Sequence, residues 1–275
     1  MDNIIEYMLA EDEGFGDITS QAVVDEGKIV KAYIISKDEG VLAGIDIIRQ
    51  LFEENDVKVT FWLADGTKIS KSDLLMSMEG DARTILLLER TALNLLMRMS
   101  GVASAANYYV NLVKDSNVRI AGTRKTSPAL GKFDKYALKV GGADTHRFGL
   151  DDMVLIKDNH IAACGTPLEA LKKAKENTSF SKKIEIEVEN LDDAIDCVKN
   201  GADIVMLDNM SPSDVKEVID ELNKLNIRQN SLIEVSGGIN EENILDYANL
   251  GVDIISMGAL THATRSLDFS LKLQS

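Results

Sequence analysis

The sequence predicts an α/β protein in which a region of mixed α and β structure is followed by a barrel of parallel strands. The length of 275 residues suits one α/β barrel as well as two ordinary domains. From residue 117 onward, apolar β-branched runs alternate with helical patterns, as in parallel βα repeats. Residues 20–80 lack that regular alternation and contain short β-type runs between Gly and Asp turn signals.

The N-terminal region predicts two strands, at 29–36 and 57–63, with a helix over 44–52 between them. Residues 83–113 carry apolar side chains at helical spacing. Glycine is a poor residue for a helix interior, so Gly101 predicts a break between two helices in this stretch.

The second region contains six continuous apolar runs, which are typical of parallel strands buried on both faces. A closed or nearly closed barrel fits six such strands better than an open sheet. The predicted strands are 118–121, 153–156, 184–188, 202–207, 232–235 and 252–257.

Helical patterns occupy four of the intervals between these strands. Thr166 and Ser211 each precede a proline, which predicts an N-cap followed by a first helical turn. Gly201 and Gly251 follow helix ends, as left-handed C-caps do. The predicted helices are 167–177, 191–200, 212–225 and 241–250.

Composition excludes several classes of protein. The chain is 45% hydrophobic and 27% charged, which is typical of a packed globular protein. Its formal charge of −15 disfavours binding to nucleic acid and to anionic membranes. The acidic N-terminus does not resemble a signal peptide, and no apolar run approaches the ~20 residues of a membrane span. With only Cys164 and Cys197, a disulfide framework is not expected, and we predict a cytoplasmic protein.

Polar clusters follow the predicted strands at their carboxyl ends. In α/β barrels the loops at this end build the active site. The cationic members, together with one residue from the preceding helix, are Arg124, Lys125, His146, Arg147, Lys157 and Arg90. Gathering cations in a protein of net charge −15 is costly unless anionic ligands offset it, so the pattern predicts a site for a polyanionic substrate. A surface ion pair remains the alternative for any single one of these residues.

Glycines follow the last two predicted strands. Ser236, Gly237 and Gly238 form one cluster, and Gly258 begins the other. Barrels commonly bind phosphate at these two positions through backbone N–H groups. We therefore predict a phosphate-binding site there.

Carboxylates form a further set. Glu185, Glu187 and Glu189 share one face of a strand because side chains alternate, and Asp208 ends the next strand. Such acids can hold Mg²⁺ or stabilise positive charge that develops during a reaction. For Glu185 and Glu189, a structural ion pair inside the barrel is an equally open interpretation.

Other chemistries are weaker interpretations of the same residues. His146, His160 and His262 all fall in these loops, which makes a three-histidine zinc site conceivable, but no close His pair supports it. Lys157 could form a Schiff base, as in an aldolase, although the adjacent Asp158 argues against a desolvated lysine.

Several ordered motifs resemble those of the quinolinate phosphoribosyltransferase family over nearly the whole chain. They are EDEGFGDIT (11–19), ERTALN (89–94), SG (100–101), GTRKT (122–126), GGADTHR (141–147), LIKDNH (155–160), MLDNM (206–210), SGG (236–238) and GALTH (258–262).

The resemblance implies a reaction between quinolinate and phosphoribosyl pyrophosphate that gives nicotinate mononucleotide, pyrophosphate and CO₂ for NAD synthesis. It implies that the cations listed above bind the two polyanions. Lys157, Glu187 and Asp208 would be catalytic, with Mg²⁺ as a cofactor. The backbone at residues 236–238 and 258 would hold the 5′-phosphate.

The resemblance also implies a fold and an assembly. The fold is an N-terminal α/β sandwich, here 1–105 joined by the tail 263–275, and an incomplete, TIM-like α/β barrel, here 106–262. The family forms a homodimer or a higher homo-oligomer, to which Arg90 would contribute across the subunit interface.

One motif departs from the family pattern. The usual Pro-Gly-x-Arg after Arg-Lys-Thr is here Pro128, Ala129, Leu130 and Gly131, with Lys132 as the candidate replacement cation. Three alternatives therefore remain beside the main expectation: a nicotinate-using relative, a molybdenum-associated relative, and a metabolite-binding protein without catalytic activity.

Overall fold

The computed structural model describes residues 3–274, which form two compact units. Residues 3–107, 127–142 and 263–274 make up the first, called here the N-terminal unit. Residues 108–126 and 143–262 make up the second, called the barrel unit.

The segment 127–142, which the sequence analysis assigned to the barrel region, thus lies in the N-terminal unit. A buried ion pair explains this placement, since Arg98 donates to both carboxylate oxygens of the fully buried Asp134, at 2.9 and 2.8 Å. The close approach of Gly141 to Ala103 also fixes the segment, because an added Cβ at Gly141 would lie 2.4 Å from the Ala103 carbonyl oxygen.

The first part of the chain forms nine elements. They are α1 (Asn3–Glu13), α2 (Ile18–Val23), β1 (Ile29–Ser36), β2 (Gly40–Val41), α3 (Ile45–Glu53), β3 (Lys58–Trp62), β4 (Lys68–Ile69), β5 (Leu74–Asp81) and α4 (Ala82–Leu112).

The rest of the chain alternates strands and helices, with a short 3₁₀ turn at Arg228–Asn230. The elements are β6 (Arg119–Ala121), α5 (Gly131–Val140), β7 (Val154–Ile156), α6 (Asp158–Cys164), α7 (Pro167–Asn177), β8 (Ile184–Val188), α8 (Leu191–Lys199), β9 (Ile204–Asp208), α9 (Pro212–Lys224), β10 (Leu232–Ser236), α10 (Ile244–Ala248), β11 (Ile254–Ser256), α11 (Ala259–His262) and β12 (Phe269–Gln274).

The N-terminal unit is built on an antiparallel sheet in the order β12–β1–β5–β3. The final strand returns to this sheet, with Leu271 opposite Ile34. Alternate residues of β1 are buried, as expected for a sheet with one face against a core, and α3 contributes the buried Ile48 and Phe52.

One prediction for this region is wrong. Gly101 does not separate two helices, because α4 is a single helix of 31 residues that runs through it. The reason is a close backbone contact, since an added Cβ would lie 2.3 Å from the Arg265 carbonyl oxygen. The glycine allows the returning tail to approach the helix.

The barrel unit contains six parallel strands in the order β6–β11–β10–β9–β8–β7, which confirms the predicted parallel architecture. Strands β6 and β7 end this order and, within residues 3–274, do not pair with each other, so the barrel is incomplete. A parallel bridge joins Ala121 of β6 to Asp144, in the segment that leads toward β7. We call residues 143–153 the strap.

The two predicted N-caps and the left-handed glycines of the barrel unit are confirmed, whereas the helix predicted over 241–250 is confined to Ile244–Ala248. Thr166 and Ser211 cap α7 and α9 through their side-chain oxygens. Gly201 and Gly251 adopt φ values of 76° and 85°, which are left-handed. Among the helices that the structure describes, none is both long and apolar enough to cross a membrane.

Candidate active site

A cavity of about 460 Å³ lies at the carboxyl ends of the barrel strands. Its size is in the range of sites for small molecules. The predicted site residues that line it are Arg124, Lys125, His146, Arg147, Lys157, Glu187, Asp208, Ser236, Gly237 and Gly238. Residues from well-separated segments of the chain therefore meet around one space.

Lys157 is oriented by two contacts. It is the N-cap of α6, and its backbone N–H donates to Nδ1 of His160 at 2.9 Å. Its Nζ lies 2.6 Å from Oε2 of Glu187. The Lys157 amine is thus engaged by a carboxylate, which disfavours the Schiff-base interpretation.

Glu187 also approaches Asp208, the last residue of β9. Burial raises the pKa of the Asp208 carboxyl, and the charge of Glu187 and a hydrogen bond with it raise that pKa further. Asn209 donates to Oδ2 of Asp208 at 2.6 Å and adopts a left-handed φ of 54°. The two carboxylates thus lie together beside the Lys157 ammonium.

The cations occupy a neighbouring part of the cavity. Arg124 and Lys125 are exposed at the end of β6, whereas Arg147 is buried. The pKa of Arg147 is lowered overall, mainly by burial and further by the nearby charge of Arg124. The charges of Glu185 and Asp152 oppose this effect in part. Two like charges held this close favour an anionic ligand between them.

The strap carries His146 and Arg147 into the barrel. His146 has a left-handed φ of 54°, and its backbone N–H donates to Asp144 at 2.8 Å. The backbone N–H of Arg147 donates to Nδ1 of His146 at 2.9 Å, and Nη1 of Arg147 donates to the Met153 carbonyl at 3.2 Å.

His146 contacts two fully buried glutamates, one of which, Glu234, also lines the cavity. Its Nε2 lies 3.3 Å from Oε2 of Glu185 and 3.3 Å from Oε2 of Glu234. Burial disfavours the imidazolium, but the hydrogen bonds and charges of the two glutamates outweigh it and raise the pKa of His146 to about 10. Burial raises the pKa of Glu185, an effect that His146 opposes.

The glycine cluster after β10 requires glycine at one position for two reasons. Gly237 has a φ of 92°, and an added Cβ would lie 2.2 Å from Oδ1 of Asn209. Its neighbour Gly238 is also left-handed. The remaining predicted glycine, Gly258, is not among the residues that line the cavity, although an added Cβ there would lie 3.0 Å from Cδ of Lys125.

Arg90 lies in the N-terminal unit, exposed on α4, where it lines a separate cavity of about 270 Å³ with Asn94 and Arg98. Among the described residues no carboxylate pairs with Arg90, whereas Arg98 is neutralised by Asp134. Its predicted contribution across a subunit interface stays a prediction.

The structure also bears on the three-histidine zinc site and on one buried glutamate. Within residues 3–274 the three histidines do not form a set of metal ligands. The cluster there whose side chains could hold a metal ion consists of His146, Glu185 and Glu234. Glu234 was missed by the sequence analysis. The sequence does contain a signal for Glu234, because it is a glutamate inside an apolar strand. It lies two residues before Ser236, on the same face of the strand, just as Glu185 lies two residues before Glu187.

A barrel of parallel strands with cations and paired carboxylates at their carboxyl ends is the framework of an enzyme acting on small anionic molecules. Comparison with known proteins makes this specific. The models for the N-terminal and C-terminal domains of quinolinate phosphoribosyl transferase match residues 17–100 and 102–272. The chain therefore belongs to the quinolinate phosphoribosyl transferase family, as its motifs indicated.

The similarity extends over full-length relatives. The chain is 49% identical to a protein of Methanocaldococcus jannaschii, covering 98% of this chain and 96% of that protein. It is 44% identical to one of Methanothermobacter thermautotrophicus, covering 100% and 99%. Both carry the name "probable nicotinate-nucleotide pyrophosphorylase (carboxylating)". The crystal structure of NadC from Streptococcus pyogenes is 38% identical, with a TM-score of 0.92 over 99% of this chain and 97% of that one.

Proposed function

We propose that the protein converts quinolinate and phosphoribosyl pyrophosphate to nicotinate mononucleotide, pyrophosphate and CO₂ in NAD biosynthesis. The observation that carries this proposal is the set of four cations, Arg124, Lys125, Arg147 and Lys157, around one cavity in a protein of net charge −15. A pyridine dicarboxylate and a pyrophosphate ester are the kinds of ligand that such a site stabilises. The names of the full-length relatives support the same reaction.

The first step forms one bond and breaks another at the anomeric carbon of the ribose. The quinolinate nitrogen bonds to that carbon as its bond to pyrophosphate breaks, and the electron pair leaves with pyrophosphate. Cations stabilise the charge of the departing group. Glu187 and Asp208 would face the sugar, where their carboxylates stabilise the positive charge that develops on the ribose.

The second step removes one carboxylate of the bound ring as CO₂. The electron pair of the broken C–C bond remains on the ring carbon, where the positively charged ring nitrogen stabilises it, and a proton then replaces the carboxylate. Arg147 and its neighbouring cations would hold the retained carboxylate. The backbone of Ser236, Gly237, Gly238 and Gly258 would bind the 5′-phosphate, since glycines allow a close approach.

Mg²⁺ is part of the proposal. Glu187 and Asp208 lie close enough for burial and mutual charge to raise the pKa of Asp208, so the pair is suited to a cation. Mg²⁺ typically binds one or two carboxylates together with substrate phosphates. When bound, it would supply positive charge to the pyrophosphate.

We also place the protein in the cytoplasm, because both cysteines are free, and infer that it acts without nucleic acid or membrane partners. We further infer that the barrel is of the TIM-like type. We also infer a homodimer or higher homo-oligomer in which Arg90 reaches the substrate site of a neighbouring subunit. The guanidinium of Arg90 is exposed and forms no ion pair within residues 3–274, although Glu11 and Asp12 line the same cavity, and this exposure supports the role.

The test is turnover by the purified protein with phosphoribosyl pyrophosphate, Mg²⁺ and either quinolinate or nicotinate. We expect mononucleotide and CO₂ in equal amounts from quinolinate, and a loss of rate without Mg²⁺. Turnover of nicotinate alone would identify a nicotinate-using relative. No turnover of either would indicate the molybdenum-associated or the non-catalytic alternative.

Variants sharpen the assignment of the cations. Lys157→Ala and Arg124→Ala should each lower kcat/KM by about 100-fold or more while the circular dichroism spectrum is unchanged. Lys172→Ala, at an exposed position of α7, is the matched control and should keep the wild-type rate. A wild-type rate in either site variant would reject its assigned role.

A further inference from the structure

The middle layer of the barrel contains two carboxylates where apolar side chains are usual. Glu185 on β8 and Glu234 on β10 lie two residues before Glu187 and Ser236, on the same faces of their strands. Both side chains are fully buried. A buried carboxylate is costly unless a partner stabilises it, so this layer needs an explanation beyond packing.

Their shared partner is His146. Its Nε2 lies 3.3 Å from one oxygen of each glutamate. Within residues 3–274 no donor, His146 included, meets the geometry of a conventional hydrogen bond to the carboxylate oxygens of Glu185 or Glu234, so the 3.3 Å approaches of His146 are ion-pair contacts. The His146 imidazole is thus the side chain that lies against both buried carboxyl groups.

The proton position follows from the other ring nitrogen. Nδ1 of His146 accepts the backbone N–H of Arg147 at 2.9 Å, so the hydrogen of the neutral ring lies on Nε2. In the imidazolium both nitrogens carry a hydrogen, so Nε2–H is retained while Nδ1 no longer accepts from the Arg147 N–H. In either protonation state, Nε2–H therefore points between the two carboxylates.

The same contacts hold a strained backbone. His146 has a left-handed φ of 54°, which costs a non-glycine residue free energy and persists only where surrounding contacts impose it. The next residue is Arg147, whose guanidinium is buried, lines the cavity and makes one hydrogen bond, to the Met153 carbonyl, within the described part of the chain. Its other N–H groups remain available to a ligand.

We propose that Glu185 and Glu234 are positioning residues that hold His146 through Nε2–H, and through His146 fix the Arg147 guanidinium for a carboxylate of the pyridine substrate. The substrate part of this inference rests on the proposed function. Glu234 lines the cavity and Glu185 does not; in this proposal both glutamates act through His146.

The same three side chains have the composition of a site for a divalent metal ion. A metal ligand, however, needs a lone pair on Nε2, and Nε2 carries a hydrogen both in the neutral ring that accepts at Nδ1 and in the imidazolium. The proposal therefore excludes a metal at this cluster, and the metal content of the protein tests that point.

The kinetic test compares Glu234→Leu with Glu234→Gln. Leucine fills the buried space but cannot accept a hydrogen bond, whereas glutamine still can. We expect Glu234→Leu to raise the KM for quinolinate about tenfold, since a charge-assisted hydrogen bond is lost, and to leave the KM for phosphoribosyl pyrophosphate within about twofold. Glu234→Gln should recover most of the quinolinate KM.

Several outcomes would overturn the proposal. If leucine and glutamine had the same effect, or if both KM values rose together, the glutamate would act through charge or general stability. Glu217→Leu, on the exposed face of α9, is the control for removing a carboxylate and should behave as wild type. Glu185→Leu and Glu185→Gln should repeat the pattern.

A second measurement needs no turnover. The chain has three histidines, so ¹⁵N NMR of histidine-labelled, unliganded protein can assign His146 by comparison with His146→Gln. We expect a protonated Nε2 in the wild type and a changed Nε2–H signal in Glu234→Leu. An unprotonated Nε2, or a stoichiometric metal that is lost in Glu234→Leu, would overturn the proposal even if that variant folded poorly. Absence of turnover in the wild type would instead reject the proposed function.

Discussion

Ala129 carries backbone strain at a turn that favours glycine. The Leu130 N–H donates to the Ser127 carbonyl at 3.1 Å, which closes a turn with Pro128 and Ala129 at its centre. Ala129 has a φ of 64°. Proline followed by a residue with positive φ is the pattern of a type II turn, where glycine is preferred at the second central position. The family's usual glycine at this position thus has a conformational reason.

We therefore expect Ala129→Gly to stabilise the protein. Relief of a left-handed alanine gains about 1–2 kcal/mol, and the greater freedom of glycine in the unfolded chain removes part of that gain. The net increase in the free energy of unfolding should be ~0.5–1 kcal/mol by urea denaturation. The control is Ala174→Gly in the helix α7, where the same replacement should lower stability. A decrease at both positions would contradict the strained-turn interpretation.

At the scale of single residues, the sequence could identify the side chains at the carboxyl ends of the strands. It could not identify the contacts that lie deeper inside the barrel. Glu187 and Asp208 stood at strand ends, where barrel chemistry is expected. His146 was expected among the cations at the strand ends and does line the cavity, but its contacts with two buried glutamates were not predicted. No local sequence pattern reveals these contacts of His146. They depend on the strap, which lies beside β6 through the bridge between Ala121 and Asp144.

At the scale of elements, α4 shows how a glycine can serve packing inside a helix. The helix continues through Gly101, which is buried against the backbone of the returning tail. Because the atom that an added Cβ would meet is a backbone carbonyl oxygen, no side-chain rotation can make room for it. Helix propensity and tertiary packing therefore favour different residues at this position.

We expect Gly101→Ala to destabilise the N-terminal unit despite the better helix propensity of alanine. Propensity alone would add about 1 kcal/mol of stability, whereas overpacking against backbone costs ~1–3 kcal/mol or more. Thermal unfolding should therefore show a lower Tm. The matched control is the reverse replacement, Ala105→Gly, one turn later on the same helix at a half-buried position. It should also lower Tm, because propensity alone acts there. An increased Tm in Gly101→Ala would show that the tail does not pack closely against the helix.

Elements with strong local signals were predicted well, and those that depend on distant partners were not. The six parallel strands and helices such as α7 and α9 were recognised from apolar runs and N-caps. The helix α5 lacks a side-chain N-cap, since Leu130 occupies that position, and was missed. The partner of β12 is β1, which lies near the other end of the sequence; the family resemblance implied the return of the tail but not this strand pairing.

At the scale of the whole molecule, charge is distributed very unevenly. The chain carries 45 acidic and 30 basic residues, yet four basic side chains surround the barrel cavity. The local cations favour small anions at the cavity despite the acidic balance of the chain. A further exposed cation, Arg90, lies on α4 in the N-terminal unit, outside the set that lines this cavity. The proposed assembly would add that charge to the site of a neighbouring subunit.

Mixed oligomers test this shared site. Arg90→Ala and Lys157→Ala should each be nearly inactive alone, because every site lacks one of the two cations. After unfolding and refolding in an equal mixture, a mixed dimer has one site with both residues intact and one site with neither. Since half of the dimers are mixed, about a quarter of the wild-type rate should return. A mixture of Lys157→Ala with Arg124→Ala, whose residues line the same cavity of one chain, should recover no activity. If the Arg90 mixture also stayed inactive while size-exclusion chromatography showed mixed oligomers, Arg90 would act within its own subunit and the shared-site proposal would be wrong.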